Sequence, residues 1–287
     1  MTGKRKKNRA QNGPSRTGKA AAVPADRHKK TGTREWVFGI HAVDSVLRHH
    51  PELVESLWLA ADSRNPRLRE LADMAGALGL TCEFKPAASL DKKCTERHQG
   101  ALAVVKPRRF PDENDLASDA HAWRHPLVLV LDSIEDPRNL GACLRSADAA
   151  GVDAVILPRH KSAGLTAITR KTAAGAADSL KIYQVTNLVR ALEILKQAGL
   201  WVAGSDCGND SKSIYQASLD GALALVMGNE GRGLRPLVRR HCDFLVHIPM
   251  RGTVQSLNVS VATGVCLFET LRQRENAGPS TARPVVR

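Results

Sequence analysis

Residues 248–269, IPMRGTVQSLNVSVATGVCLFE, read as the end of a strand, a loop containing Gly252 and then a long, mostly apolar helix. Ser256 and Asn258 stand where the loop becomes helix. Polar side chains at such a junction cap the helix and leave backbone N–H groups for a ligand. Behind them Val259, Val261, Ala262, Val265, Leu267 and Phe268 are apolar nearly all round, which predicts burial on most faces. A polar loop set on a buried helix is a place for a site, and the preceding chain has to supply its chemistry.

From Pro126 onward that chain alternates strand and helix. LVLVLD (127–132), DAVILP (153–158), LKIYQV (180–185), LWVAGS (200–205), ALALVMG (222–228) and FLVHIP (244–249) are apolar runs of strand length. NLGACLRSADAAG, AITRKTAAGAA, LVRALEILKQAG and LRPLVRRHC between them carry helical spacing. Continuous apolar strands alternating with helices predict an α/β fold, a parallel sheet covered on both faces. Ligands of such sheets bind beyond the carboxyl ends of the strands. Three polar, Gly-bearing loops leave those ends: DSIEDPRNLGA (132–142), GNEGRG (228–233) and RGTVQSLN (251–258).

Each loop is ambiguous by itself. GNEGRG is neither a dinucleotide fingerprint nor a Walker loop. Its Glu230 is either a surface charge or an acceptor within a site. Asn139 is a candidate cap for the helix it enters. Arg145 is either an ordinary solvated charge or a site residue, and Cys143, Leu144 and Ala147 around it leave little polar face.

Upstream, residues 34–110 form a smaller α/β unit. WVFGIHAVDSVLRHH contains a Gly turn and a helix, PRLRELADMAGALGL is amphipathic, and SLWLAA, TCEFK and ALAVVK read as strands. His98 and Gln99, before the last strand, are either RNA contacts or a plain turn. Residues 111–125, PDENDLASDAHAWRH, are polar without a sustained period and read as a linker. Residues 1–33 carry ten Lys or Arg against one Asp and almost nothing apolar, the composition of a disordered basic arm. Residues 126–275 are the second domain, and 276–287 read as a frayed tail.

A net charge of +13 points to a polyanionic partner, with nucleic acid foremost. The six scattered cysteines show no metal-ligand spacing and read as reduced thiols of a cytoplasmic protein. No apolar run reaches the roughly 18 residues of a membrane span, so no membrane partner is expected.

Taken together, DPRNLGACLRSADAAG, VMGNEGRGL and IPMRGTVQSLNVSVATGVCLFE resemble, in order and spacing, the three signature motifs of the SpoU (TrmH) family of RNA ribose 2′-O-methyltransferases, part of the SPOUT superfamily. The resemblance covers about Pro126 to Gln273. The N-terminal unit looks like the family's ribosomal-protein-like RNA-binding domain of the L30e/L7Ae type, and the pair of domains looks like the branch that methylates a guanosine ribose in 23S rRNA. The resemblance implies a deep trefoil knot threaded by the C-terminal helix, S-adenosylmethionine as methyl donor, no metal, and a homodimer with its site across the interface. By position, Gly228, Ile248 and Leu257 are similar to the family's cofactor contacts. Asn139, Arg145, Glu230, Ser256 and Asn258 align with its polar, catalytic residues. Arg232 and Arg251 add charge in two of the loops and could strengthen phosphate contacts, without a catalytic role. Two other readings stand beside this one: a tRNA ribose methyltransferase of the same superfamily, and a non-catalytic RNA-binding or ribosome-assembly protein.

Overall fold

The computed structural model describes residues 34–94, 97–208 and 210–277. The basic arm expected at 1–33 and most of the expected tail lie outside these residues. Within the described chain the last helix runs on to Ala277, past the point where fraying was expected.

The N-terminal unit is a four-stranded sheet. Its strands are β1 (Glu35–Phe38), β2 (Val54–Ala60), β3 (Cys82–Lys85) and β4 (Ala101–Val105), in the order β1-β4-β2-β3, with only β2 and β3 parallel. Helices α1 (Ile40–His49), α2 (Pro66–Ala77) and α3 (Ala87–Asp91) accompany it. Val43, Val46 and Leu47 of α1 and Leu71 of α2 are buried with Leu57 and Leu59 of β2, so the helical and alternating patterns meet in one core. His98 and Gln99 make a structural corner. Gln99 has φ 54°, and its Oε1 accepts Ile40 N–H at the start of α1 (3.2 Å). His98 Nδ1 accepts Gly100 N–H (2.9 Å), and its other ring nitrogen lies 2.9 Å from Asp91.

The segment read as a linker contains a helix, α4 (Glu113–Ala120). Only Leu116 and Ala120 of it are buried, too few for the periodicity to stand out. Asp112 and Asp115 form a reciprocal capping box at its start. Tertiary bonds do the rest: Tyr183 Oη donates to Asp119 (2.5 Å), and Glu113 accepts the backbone N–H groups of Thr186 and Asn187.

The second sheet has seven strands: β5 (Leu127–Leu131), β6 (Ala154–Pro158), β7 (Ile182–Val185), β8 (Trp201–Ser205), β9 (Lys212–Ser213), β10 (Leu223–Met227) and β11 (Phe244–His247). Their order is β7-β6-β5-β10-β8-β11-β9, and every pairing is parallel. Helices α5 (Pro137–Ala149), α6 (Ala167–Ala173), α7 (Ala176–Ser179), α8 (Leu188–Gln197), α9 (Pro236–His241) and α10 (Val259–Ala277) cover it. Leu127, Leu129 and Leu131 pack toward Leu144 and Leu267, while Val128 and Val130 pack toward Tyr183, Leu192 and Leu116. Burial on both faces is why these strands carry no polar alternation. The single helix expected at 167–177 is two, separated by Ala174 (φ 52°) and Gly175 (φ 106°).

Gly175 also receives α1. Ser45 Oγ donates to its carbonyl (2.8 Å), and His50 Nε2 lies 3.1 Å from Asp178 O. Beneath this contact Arg170 and Asp178 form a buried ion pair, with side chains 6% and 1% exposed.

The chain runs outward from β5 through β6 to β7 and then crosses to β8 on the other side of β10. The crevice of the sheet therefore opens between β5 and β10, at their carboxyl ends. Helix α10 starts beside that crevice and spans the sheet. Near its far end Arg274 donates to the carbonyls of His125, Pro126 and Gly221, just before β5 and β10 begin. Its burial is one-sided: Val259, Thr263, Cys266, Leu267 and Thr270 face inward, while Val261 and Phe268 are 52% and 49% exposed. The burial on most faces expected from its composition does not hold within one chain. No helix among the described residues is long and apolar enough to cross a membrane.

Candidate functional site

Asp132, immediately after β5, is fully buried and takes both Nε (2.6 Å) and N–H (2.9 Å) of Arg235, while its own N–H donates to Met227 O (2.8 Å). This pins the loop after β10 to the loop after β5. Asn229 braces the same loop. It exchanges backbone bonds with Gly233, donates from its side chain to Ser133 O (3.0 Å) and accepts from Gly231 N–H (3.0 Å). The closure is so tight that a Cβ on Gly228 would sit 2.5 Å from Leu234 N and against the Gly233 carbonyl carbon, so only glycine fits.

Glu230 is held at the tip. Its Oε1 accepts the side-chain amides of Asn139 (2.5 Å) and Asn258 (2.6 Å), and Asn258 also donates to Asn139 Oδ1 (3.1 Å). Thus one residue from each of the three polar loops enters a single hydrogen-bonded cluster. Asn258 at the same time caps α10, its Oδ1 accepting Ser260 N–H (2.9 Å). The cap of α5 is Asp136, which accepts Arg138 N–H (2.7 Å); Asn139, the residue expected there, is left for Glu230. Glu230 Oε2 has no protein donor among the described residues. Behind the cluster, burial pushes the Cys143 thiol up to about 11, even though Thr263 bonds to it, so it stays neutral.

Two clefts meet at Glu230. The larger, about 370 Å³, is lined by Gly228, Glu230, Ile248, Ser256 and Leu257, and closed on another side by Asp206 and His247. The smaller, about 250 Å³, is lined by Ile134, Glu135, Asp136 and Asn139, and shares Asn229, Glu230 and Val259 with the first. The larger volume is that of a small-molecule site, and its neighbour opens on the same carboxylate. Asn139, Gly228, Glu230, Arg232, Ile248, Ser256 and Leu257 line one of these clefts and Asn258 joins the cluster, whereas Arg251, His98, Gln99 and Arg145 line neither. Arg145 points outward from α5, exposed and without a side-chain partner among the described residues. Asp132, Asn229 and Arg235 were not singled out. Asp132 and Arg235 are far apart in sequence, and nothing local signals their pairing.

The SpoU rRNA Methylase family matches residues 126–268, and the family described as RNA 2′-O ribose methyltransferase substrate binding matches 36–111. A protein of Pseudomonas aeruginosa named 23S rRNA (guanosine-2′-O-)-methyltransferase RlmB is 51% identical over 241 residues, covering 84% of this chain and 97% of the relative. The protein of that name from Escherichia coli is 46% identical, covering 84% and 99%. Among solved structures, an AdoMet-bound rRNA methyltransferase from Sinorhizobium meliloti is similar with TM-score 0.68 and 25% identity over 83% of this chain and 87% of that one. An RNA 2′-O ribose methyltransferase is similar with TM-score 0.68 and 26% identity, covering 84% and 89%. With 46–51% identity to such relatives across nearly their whole length, and with both domains matched in order, the chain belongs to the SpoU rRNA methylase family.

Proposed function

We propose that this protein transfers a methyl group from S-adenosylmethionine to the ribose 2′-hydroxyl of a guanosine in 23S rRNA. The observation that carries the reading is the convergence of Asn139, Glu230 and Asn258 at the meeting point of two clefts, the larger of small-molecule size. The rRNA and the guanosine rest on the names of relatives 46–51% identical over 84% of this chain.

Gly228, Ile248 and Leu257 would hold the cofactor. All three line the larger cleft, and the tight Gly228 turn fixes the backbone there. When bound, the sulfonium supplies an electrophilic methyl group. The protein's part is alignment and removal of the 2′-hydroxyl proton. Alignment alone contributes up to about 7–11 kcal/mol in the best cases. Asn139 and Asn258 fix Glu230 through one oxygen, and Glu230 Oε2 is available to receive or relay the proton. Ser256 and Asn258 orient the ribose. Arg145 is not the base, since a guanidinium stays charged at neutral pH. It grips a flanking phosphate and stabilises the developing oxyanion.

For Arg145 to do so, a second subunit is needed. Val261 and Phe268 are seven positions apart and share the outward face of α10, which packs along α5, the helix that carries Arg145. We infer a homodimer closed over this apolar stripe, with Arg145 of each chain serving the other's Glu230 cluster. Residues 34–110 act as the RNA-binding domain of the L30e/L7Ae type, 126–275 as the methyltransferase domain, and α10 threads the trefoil knot of the family. The work is cytoplasmic, where the rRNA is. The test is incubation with labelled S-adenosylmethionine and either 23S rRNA or tRNA. Label in a guanosine ribose of rRNA supports the reading, label in tRNA transfers it to the tRNA branch, and label in neither leaves a binding protein.

A further inference from the structure

Guanidinium groups around the larger cleft fall into two sets. Arg235 is tied to Asp132 at 2.6 Å, and Arg239 bridges Asp206 and Asp210 at 2.5 Å each. Arg232 and Arg251 are exposed and make no ion pair or side-chain hydrogen bond among the described residues. The nearby acids are bonded to other groups: Asp132 to Arg235, Asp206 and Asp210 to Arg239, Asp136 to the start of α5, and Glu230 to two neutral amides that leave its charge in place. Arg232 lines the cleft from the loop after β10. Arg251 follows Met250, which lines it from the loop after β11. Each of these two loops therefore carries, at the rim beside the cluster that would hold the ribose, one arginine with no ion pair among the described residues.

We propose that Arg232 and Arg251 form a two-point clamp on the phosphates of the RNA strand flanking the target nucleotide. The proposal rests on the reading of the site as an RNA methyltransferase centre. A guanidinium presents a planar fork of donors that matches a phosphate's oxygens. A pair on separate loops fixes the register of a strand as well as its affinity. These are positioning residues: they hold the backbone and do not touch the methyl group. The same fork could serve another anion, the carboxylate at the amino-acid end of the cofactor, and the test separates the two.

The full-length protein carrying Arg232→Ser, Arg251→Ser or both is assayed for binding to a 23S rRNA fragment over a range of salt, for S-adenosylmethionine binding by calorimetry, and for kcat and KM. The clamp predicts that the slope of log K against log salt falls by about 0.7–0.9 per arginine removed. KM for RNA rises several-fold, kcat and cofactor affinity stay within about twofold, and the Arg→Lys variants keep the slope, since slope counts charge. An unchanged slope in the double variant overturns the clamp. So does lost cofactor affinity with RNA binding intact, which assigns the charges to the cofactor carboxylate. A wild-type protein that methylates no RNA overturns the reading beneath the clamp, and the clamp with it.

Discussion

Asn139 and Arg145 lie on the same helix yet face different surroundings. Asn139 is bonded to Glu230 at 2.5 Å, whereas Arg145 stands about 240° further round α5 and about 9 Å along it, exposed and unpaired among the described residues. If Arg145 acts on the partner's cluster, Arg145→Ala and Glu230→Gln should each abolish methyl transfer as homodimers while cofactor binding survives. A random mixture of the two chains should recover about a quarter of wild-type activity, because half the dimers then hold one intact site of two. No recovery in a mixture shown to contain heterodimers would place Arg145 in the site of its own chain.

The bare stripe on α10 gives a second test. Phe268→Asp places a charge on a side chain that one chain leaves 49% exposed, so the fold should tolerate it. Its expected effect is a halved mass in sedimentation and loss of methyl transfer. A Phe268→Asp protein that remains dimeric would remove α10 from the interface.

The buried pair beneath the domain contact gives a third. Asp178→Asn strands the Arg170 guanidinium among buried atoms, and breaking such a pair costs about 3–5 kcal/mol. Replacing both, Arg170→Met with Asp178→Leu, should cost far less, because no unpaired charge remains. Urea unfolding measures both. Equal losses for the single and double variants would mean that the packing, rather than the charge, is what matters there.

Acid should release α4 first. Hydrogen bonds from Lys181 and then Tyr183 hold Asp119 below the usual carboxylate range, and the Asn114 N–H does the same for Asp112. Burial works against Glu113, but the backbone N–H groups around it win and hold it low as well. Groups depressed in the folded state stabilise it above their unfolded pKa, about 4, and that stability is lost as pH falls through the lower folded values. Hydrogen exchange, corrected for intrinsic rate, should therefore show α4 losing protection below about pH 4 before β10 does. Simultaneous loss would contradict the assignment.

The central strands were legible because burial on both faces leaves an unbroken apolar signature, as at 127–131 and 223–227. Helix α4 was not, since its stability comes from caps and from partners about 70 residues away, such as Asn187 and Tyr183. The three loops could be picked out by their polar residues and glycines. Which of those residues would meet was beyond reach of spacing: Asn139 looked like a cap and became a partner of Glu230, and Asp132 looked like a strand end and is the buried pin of the site. Helix α10 misled in the other direction. Its apolar residues predicted burial on most faces, and a single chain covers only one side of it.

The three carbonyls held by Arg274 and the amide that Asn258 gives to Glu230 lie at opposite ends of the central strands β5 and β10. Helix α10 is thus a tie-rod about 24 Å long, fastened at both ends. Slack introduced at the distal fastening reaches the proximal one, so trimming the C-terminus before Arg274 should loosen chemistry that no deleted atom touches.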